Sequence, residues 1–259
     1  MSTPAESPSR TWLVDLGNTR IKWARADELA TDAVSGRGRA ESFDAARIDA
    51  WFDPVQPGDR VWLASVTSPA ATADVEASLE RRGAVVTRAL TRPALAGVRI
   101  AYAEPSRLGV DRFLALLAAH ARGREAWLIA SIGTALTIDL LDAGGTHHGG
   151  LIAPSPTLMR EALSRRAPHL PTTGGSVVEF ADDTTDALAS GAILSARALV
   201  EHALRAAEAR LGVTPALLVT GGGSDAVLDG WRVRAVHALE LVLEGLAVYA
   251  QAASAGIDG

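Results

Sequence analysis

An apolar strand, a glycine bend and a return strand occur twice in this chain. The first set is Thr11–Leu16 (TWLVDL), Gly17-Asn18 and Arg20–Arg25 (RIKWAR). The second is Ala126–Ser131 (AWLIAS), Gly133-Thr134 and Ala135–Leu141 (ALTIDLL). Short apolar runs joined by such turn chemistry read as β-hairpins. Each opening is followed by mixed strands and helices, so the repeat points to two similar α/β halves with a boundary near Arg122–Glu125. The length of 259 residues suits this, since a domain takes roughly 150 residues.

The remaining elements follow from periodicity and punctuation. Apolar spacing predicts a helix over Phe43–Phe52, and a strand is expected at Arg60–Val66. Pro69–Arg82 reads as a helix stopped by Gly83, followed by strands at Ala84–Arg88 and Val98–Ala103. Pro105 is expected to open a helix to about His120, because proline in a first turn removes only an N–H that would be unpaired anyway. In the second half a strand is expected at His147–Ala153 and helices at Thr157–Arg165 and Asp186–Leu211. Ala216–Thr220 reads as a strand, and Val236 to about Ala253 as the last helix.

Composition removes several functions. There are 25 basic and 30 acidic residues, a net charge of −5, which gives a nucleic-acid partner no electrostatic support. With no cysteine, disulfides, thiolate catalysis and zinc–cysteine sites are excluded. No run reaches the roughly 18 apolar residues of a membrane span. The first ten residues, MSTPAESPSR, lack the apolar core of a signal peptide and read as a loose tail on a cytoplasmic protein. The six histidines show no metal-ligand spacing and read as structural or surface residues.

Four segments can carry chemistry. In Asp15-Leu16-Gly17-Asn18-Thr19-Arg20-Ile21-Lys22 a glycine bend lets backbone N–H groups approach a phosphate, with donors from Asn18 and Thr19. Lys22, the only lysine of the chain, adds a point charge. Asp15 can organise Mg²⁺ directly or through water. In Ser131-Ile132-Gly133-Thr134-Ala135 the Thr134 hydroxyl can donate to a phosphate. For both segments a plain hairpin turn is the alternative. Gly221-Gly222-Gly223 would let a planar ring pack on backbone, or is simply a flexible loop. In Gly109-Val110-Asp111-Arg112 the carboxylate can accept a proton from a hydroxyl, while the guanidinium binds an anion. The alternative there is a helix-start acid beside a surface ion pair.

Taken in order, these segments resemble the type III pantothenate kinase family of the actin-like, acetate and sugar kinase superfamily, over nearly all of the chain after residue 10. DLGNTRIK (Asp15–Lys22) is similar to the first phosphate motif and IGTALTID (Ile132–Asp139) to the second. GVDR (Gly109–Arg112), preceded by Tyr102 and Pro105, is similar to the pantothenate-binding and catalytic motif. GGLIAP (Gly149–Pro154), Asp183-Thr184-Thr185, Ser190-Gly191 and TGG (Thr220–Gly222) match later signatures.

The resemblance implies two ribonuclease H-like halves with mixed sheets around a nucleotide cleft. They would follow a tail at residues 1–10 and cover residues 11–122 and 123–259. It implies ATP with Mg²⁺ on Asp15–Lys22 and Thr134. Pantothenate would lie against Tyr102, Gly109, Val110, Asp111, Arg112 and Thr184, with Asp111 as general base. No protein-built metal site is implied, and a homodimer is. The product would be 4'-phosphopantothenate, the first intermediate of coenzyme A synthesis. Many members place an aspartate that binds potassium or ammonium where this chain has Ser131, so the cation site is not carried over. Ser155 replaces a usual glycine, and Asp183 a usual asparagine. Ser131 also motivates a second expectation, a nucleotide-binding regulator without turnover.

Overall fold

The computed structural model describes residues 9–30 and 39–256. Most of the expected N-terminal tail lies outside them. The chain forms two compact units: residues 9–96, 104–118 and 242–256 in the first, and 97–103 and 119–241 in the second.

The first unit is built on β1 (Thr11–Leu16), β2 (Arg20–Arg25), β3 (Arg39–Ser42), β4 (Arg60–Ser65) and β5 (Val85–Arg88). Their order is β3-β2-β1-β4-β5. β1 runs antiparallel to β2 and parallel to β4. Helices α1 (Ala26–Ala30), α2 (Ile48–Trp51) and α3 (Pro69–Arg81) accompany them. The sheet's apolar side chains (Val14, Leu16, Ile21, Val61 and Leu63) close on Trp51, Phe52, Val75 and Leu79. Each such fully buried side chain contributes about 1.5–3 kcal/mol. Ser68 caps α3 by accepting from the Ala71 N–H at 3.2 Å, and Pro69 occupies its first turn.

Strands β6 (Ala94–Leu95) and β7 (Val98–Arg99) are short, and α4 follows at Val110–Arg122. The second unit repeats the first sheet. β8 (Trp127–Ile132), β9 (Ala135–Leu141), β10 (His147–Pro154), β11 (Ala216–Thr220) and β12 (Ala235–His237) take the order β10-β9-β8-β11-β12. Again the first strand is antiparallel to its hairpin partner and parallel to the strand on its other side. Helices α5 (Pro156–Arg166), α6 (Thr184–Leu211), α7 (Ser224–Leu228) and α8 (Leu241–Ser254) complete the chain. The 28-residue α6 buries Ala192, Ala196, Val200, Ala203 and Ala207, a stripe at helical spacing. It closes a core with Leu128, Ile132, Leu136 and Val219.

Four expected elements differ. Phe43–Phe52 is split into a 3₁₀ turn at Ala45–Arg47 and the single turn of α2. Val98–Ala103 pairs only over Val98–Arg99. Pro105 opens a 3₁₀ turn that ends at Arg107, with Leu108 extended, so α4 starts at Val110. The helix expected from Val236 begins at Leu241, because residues 235–237 are drawn into the sheet by pairing with β11. In that last case a short apolar run served either period, and strand pairing decided it.

Candidate active site

The first bend is a tight hairpin. The Gly17 N–H donates to the Arg20 carbonyl at 2.9 Å, leaving Asn18 and Thr19 as the two-residue loop. Asn18, Thr19 and Arg20 are exposed. The register pairs Leu16 with Ile21 and Asp15 with Lys22. Directly opposed residues share a face, so Leu16 and Ile21 enter the core while the acid and the lysine lie half-buried on the other face. The motif therefore presents backbone and polar side chains at one strand end, with both charges on one side.

The second bend is a related turn in the second unit, one residue tighter than the first. The Gly133 N–H donates to the Ala135 carbonyl at 2.9 Å, and Gly133 and Thr134 are exposed. Two further segments brace it. The Ser155 hydroxyl donates to the Thr134 carbonyl at 3.0 Å and accepts from the Leu158 N–H at 3.2 Å, capping α5. The serine that replaces a usual glycine thus joins a helix cap to the second bend. The glycine loop after β11 also arrives here, with the Gly223 N–H donating to the Ile132 carbonyl at 2.9 Å. Gly221 has φ +94, and a Cβ on it would lie 2.4 Å from the Ile132 oxygen. Only glycine permits that approach.

Asp111 sits in the first turn of α4, half-buried, where the helix N-terminus favours negative charge. Its Oδ1 accepts the Arg112 N–H at 2.8 Å. Room for this carboxylate depends on Gly109, since a Cβ there would lie 2.6 Å from Oδ1. The turn before it is held by the Thr91 hydroxyl, which donates to the Leu108 carbonyl at 2.8 Å. Behind it α4 meets α8 backbone to backbone at Leu114 and Gly245, and Phe113 packs edge-on against Tyr249 at 6.4 Å. Arg112 is 7% exposed.

Tyr102 and Thr184 belong to the second unit. Thr184 is the exposed first residue of α6. The Asp183 carboxylate caps that helix, accepting from the N–H groups of Thr185 and Asp186 at 2.7 and 3.1 Å. Aspartate caps as well as the asparagine it replaces. Tyr102 lies half-buried with its ring parallel to that of His147, at 6.2 Å between centroids and 8° between planes.

Of the sequence-predicted residues, Asp15–Lys22 and Gly109–Arg112 thus fall in the first unit, and Tyr102, Thr134 and Thr184 in the second. Within the second unit the Thr134 bend, Ser155 and the glycine loop converge. Sequence reasoning missed His147 and Asp139 beneath Tyr102. An aspartate inside the apolar strand ALTIDLL was the available signal, since a buried carboxylate needs a partner. Among the described residues no cluster of three or more His, Asp or Glu forms a metal cage. A single half-buried carboxylate such as Asp15, near a glycine bend, suits a Mg²⁺ that would arrive with a nucleotide and keep most of its water.

The sequence profile that matches this chain describes a Type III pantothenate kinase and covers residues 12–206. A type III pantothenate kinase of Xanthomonas campestris pv. campestris (strain B100) is 50% identical over 240 residues, 92% of this chain and 96% of that protein. A Baf family protein of known structure from Campylobacter jejuni superposes with a TM-score of 0.61 at 18% identity, over 94% of this chain and 99% of that one. An archaeal actin homologue gives a TM-score of 0.50 at 12% identity, over 93% and 99%. At such identities the likeness establishes the fold alone, an actin-like α/β fold with two five-stranded mixed sheets.

Proposed function

The chain belongs to the type III pantothenate kinase family, and we propose that it phosphorylates the primary hydroxyl of pantothenate from ATP with the residues described above. Asp15–Lys22 cradle the ATP phosphates through the backbone of the Gly17 bend, the Asn18 and Thr19 side chains and the Lys22 ammonium. Thr134 donates its hydroxyl to the same nucleotide. Asp15 is the residue that would hold a Mg²⁺ arriving with the nucleotide, and such an ion would supply charge neutralisation at the transferring phosphoryl group. Tyr102, Gly109, Val110, Arg112 and Thr184 bind pantothenate, the Arg112 guanidinium pairing with its carboxylate.

Asp111 then takes the hydroxyl proton as the oxygen attacks the γ-phosphorus. The bond to the β–γ bridging oxygen breaks, and ADP leaves with the electron pair. Phosphoryl transfer requires positioning and charge stabilisation more than covalent chemistry. The observation that carries this reading is the GVDR segment itself, with a carboxylate fixed at a helix start by its neighbour's N–H. A carboxylate held in this way supports a role in proton transfer, and with it turnover over the regulatory alternative.

Ser131 offers a hydroxyl and no charge, so we infer activity without a potassium requirement. A homodimer is supported by large apolar side chains left exposed in the second unit: Ile152 at 66%, Phe180 at 95%, and Leu151 beside Ile152. Among the described residues no helix is long and apolar enough to cross a membrane; a cytoplasmic location is part of this proposal and fits the use of ATP. The test is an ADP-coupled assay with mass-spectrometric detection of phosphopantothenate. Tight ATP binding with no phosphorylated product over a wide range of K⁺ and NH₄⁺ would sink the kinase reading and restore the regulatory one.

A further inference from the structure

Tyr102 lies in an irregular segment between β7 and the Pro105–Arg107 turn, flanked by exposed Ala101 and Ala103. A half-buried ring there needs a platform to hold one orientation. The platform is His147, whose side chain is fully buried and parallel to the Tyr102 ring.

His147 is fixed from two sides. The Ala101 N–H donates to its Nδ1 at 3.4 Å. Since a backbone N–H only donates, Nδ1 is the accepting nitrogen and Nε2 carries the proton. Nε2 then donates to Asp139 Oδ1 at 2.9 Å. Asp139 is 3% exposed between the apolar Ile138 and Leu140 of β9, a position where a carboxylate is retained only with partners.

The strand register makes the meeting possible. His147 pairs with Leu141, which shares a strand face with Asp139. Beyond His147 one extra residue in β10 shifts the register, so that Gly150 rather than Gly149 faces Asp139. A bulge of this kind re-aims a side chain. It leaves a glycine opposite the carboxylate and the imidazole diagonal to it. A buried acid thus orients an imidazole, and the imidazole holds both the backbone at Ala101 and the face of Tyr102.

We propose that Asp139 and His147 form a positioning pair that sets Tyr102 against pantothenate. His147 touches no reacting atom; it acts through Tyr102. This inference rests on the reading of Tyr102 as a pantothenate contact, and it names the residues that give that contact its geometry. It requires that loss of the pair weaken pantothenate binding selectively, leaving ATP binding and the chemical step nearly intact.

The experiment measures steady-state constants for wild type, Tyr102→Ala, His147→Gln, Asp139→Asn and the Tyr102→Ala/His147→Gln double variant. His147→Gln is expected to raise the pantothenate KM about tenfold, with kcat within about threefold and the ATP KM within about twofold. Asp139→Asn, which keeps a hydrogen-bonding oxygen, should lie between. The double variant should be no worse than Tyr102→Ala alone, because the two act as one unit.

Tyr102 and Tyr249 are the only tyrosines, so 3-fluorotyrosine labelling yields two ¹⁹F signals, which Tyr249→Phe assigns. His147→Gln should move or broaden the Tyr102 signal and leave the Tyr249 signal in place. This readout holds even in a variant too slow to assay. If Tyr102→Ala raises the pantothenate KM and His147→Gln does not, the positioning role is overturned and the substrate reading stands. If Tyr102→Ala itself leaves that KM unchanged, the substrate reading falls and this inference with it. An unmoved Tyr102 signal, or additive effects in the double variant, would also overturn the pair's role.

Discussion

Replacing Gly109 by alanine separates the folding of this site from its chemistry. The added methyl would stand 2.6 Å from Asp111 Oδ1, where carbon and oxygen normally keep more than 3 Å. The obstacle is a side-chain oxygen rather than backbone, so the carboxylate can turn away. Gly109 also has none of the positive φ that excludes other residues. Stability is therefore expected to hold or rise slightly, since alanine lowers the entropy of the unfolded chain by about 0.4–1 kcal/mol. Activity is not. A displaced Asp111 loses the Arg112 N–H that fixes Oδ1 at 2.8 Å. A misplacement near 1 Å costs about 10²-fold in rate, or roughly 2.7 kcal/mol of barrier. An ADP-coupled assay should show kcat down about 100-fold with the ATP KM little changed, alongside an unchanged melting temperature. A Gly109→Ala enzyme within threefold of wild-type kcat would refute the reasoning, because the carboxylate would then need no fixed place.

Gly221→Ala should do the reverse, placing a methyl 2.4 Å from a backbone oxygen at a φ of +94. A loss of about 2 kcal/mol is expected, roughly 4–8 °C in melting temperature, with a larger rise in the KM for ATP than for pantothenate. His120 is 7% exposed, and among the described residues neither ring nitrogen meets a hydrogen-bond partner. Burial, then Arg124, lowers its pKa from 6.5, with Asp142 opposing. The unfolded chain thus takes up the proton first, and stability is lost as pH falls below about 6.5. Melting temperatures from pH 7.5 to 5 should fall less steeply in His120→Phe, and parallel curves would exclude the group. Phe180→Asp should shift a dimer toward monomer by light scattering, and an unchanged mass in a dimeric protein would remove this residue from the interface.

Both glycine bends were legible because tight turns leave a short, strong signature between apolar strands. The duplication of sheet order followed from them. The β12 segment was not legible, since Ala235–His237 fits either period until β11 is there to pair with it. The break at Leu108-Gly109 was hidden by Pro105, which opens a 3₁₀ turn as readily as an α-helix. In the site, the motif residues were named from their order along the chain. Their supports were not: Ser155 and His147 act through partners 21 and 8 residues away. His147 beside His148 carried no spacing that marks a function. The lone acid in a buried strand was the one visible trace of the pair.

The most direct measurement is single-turnover phosphoryl transfer by Asp111→Asn with ATP and pantothenate both saturating. Asparagine keeps the side-chain shape and an oxygen for the Arg112 N–H but cannot take a proton. The rate of phosphopantothenate formation should fall by about 10²–10⁴, with both ligands still bound in equilibrium titrations. A rate equal to that of the wild-type enzyme would contradict the assignment of Asp111 as the base.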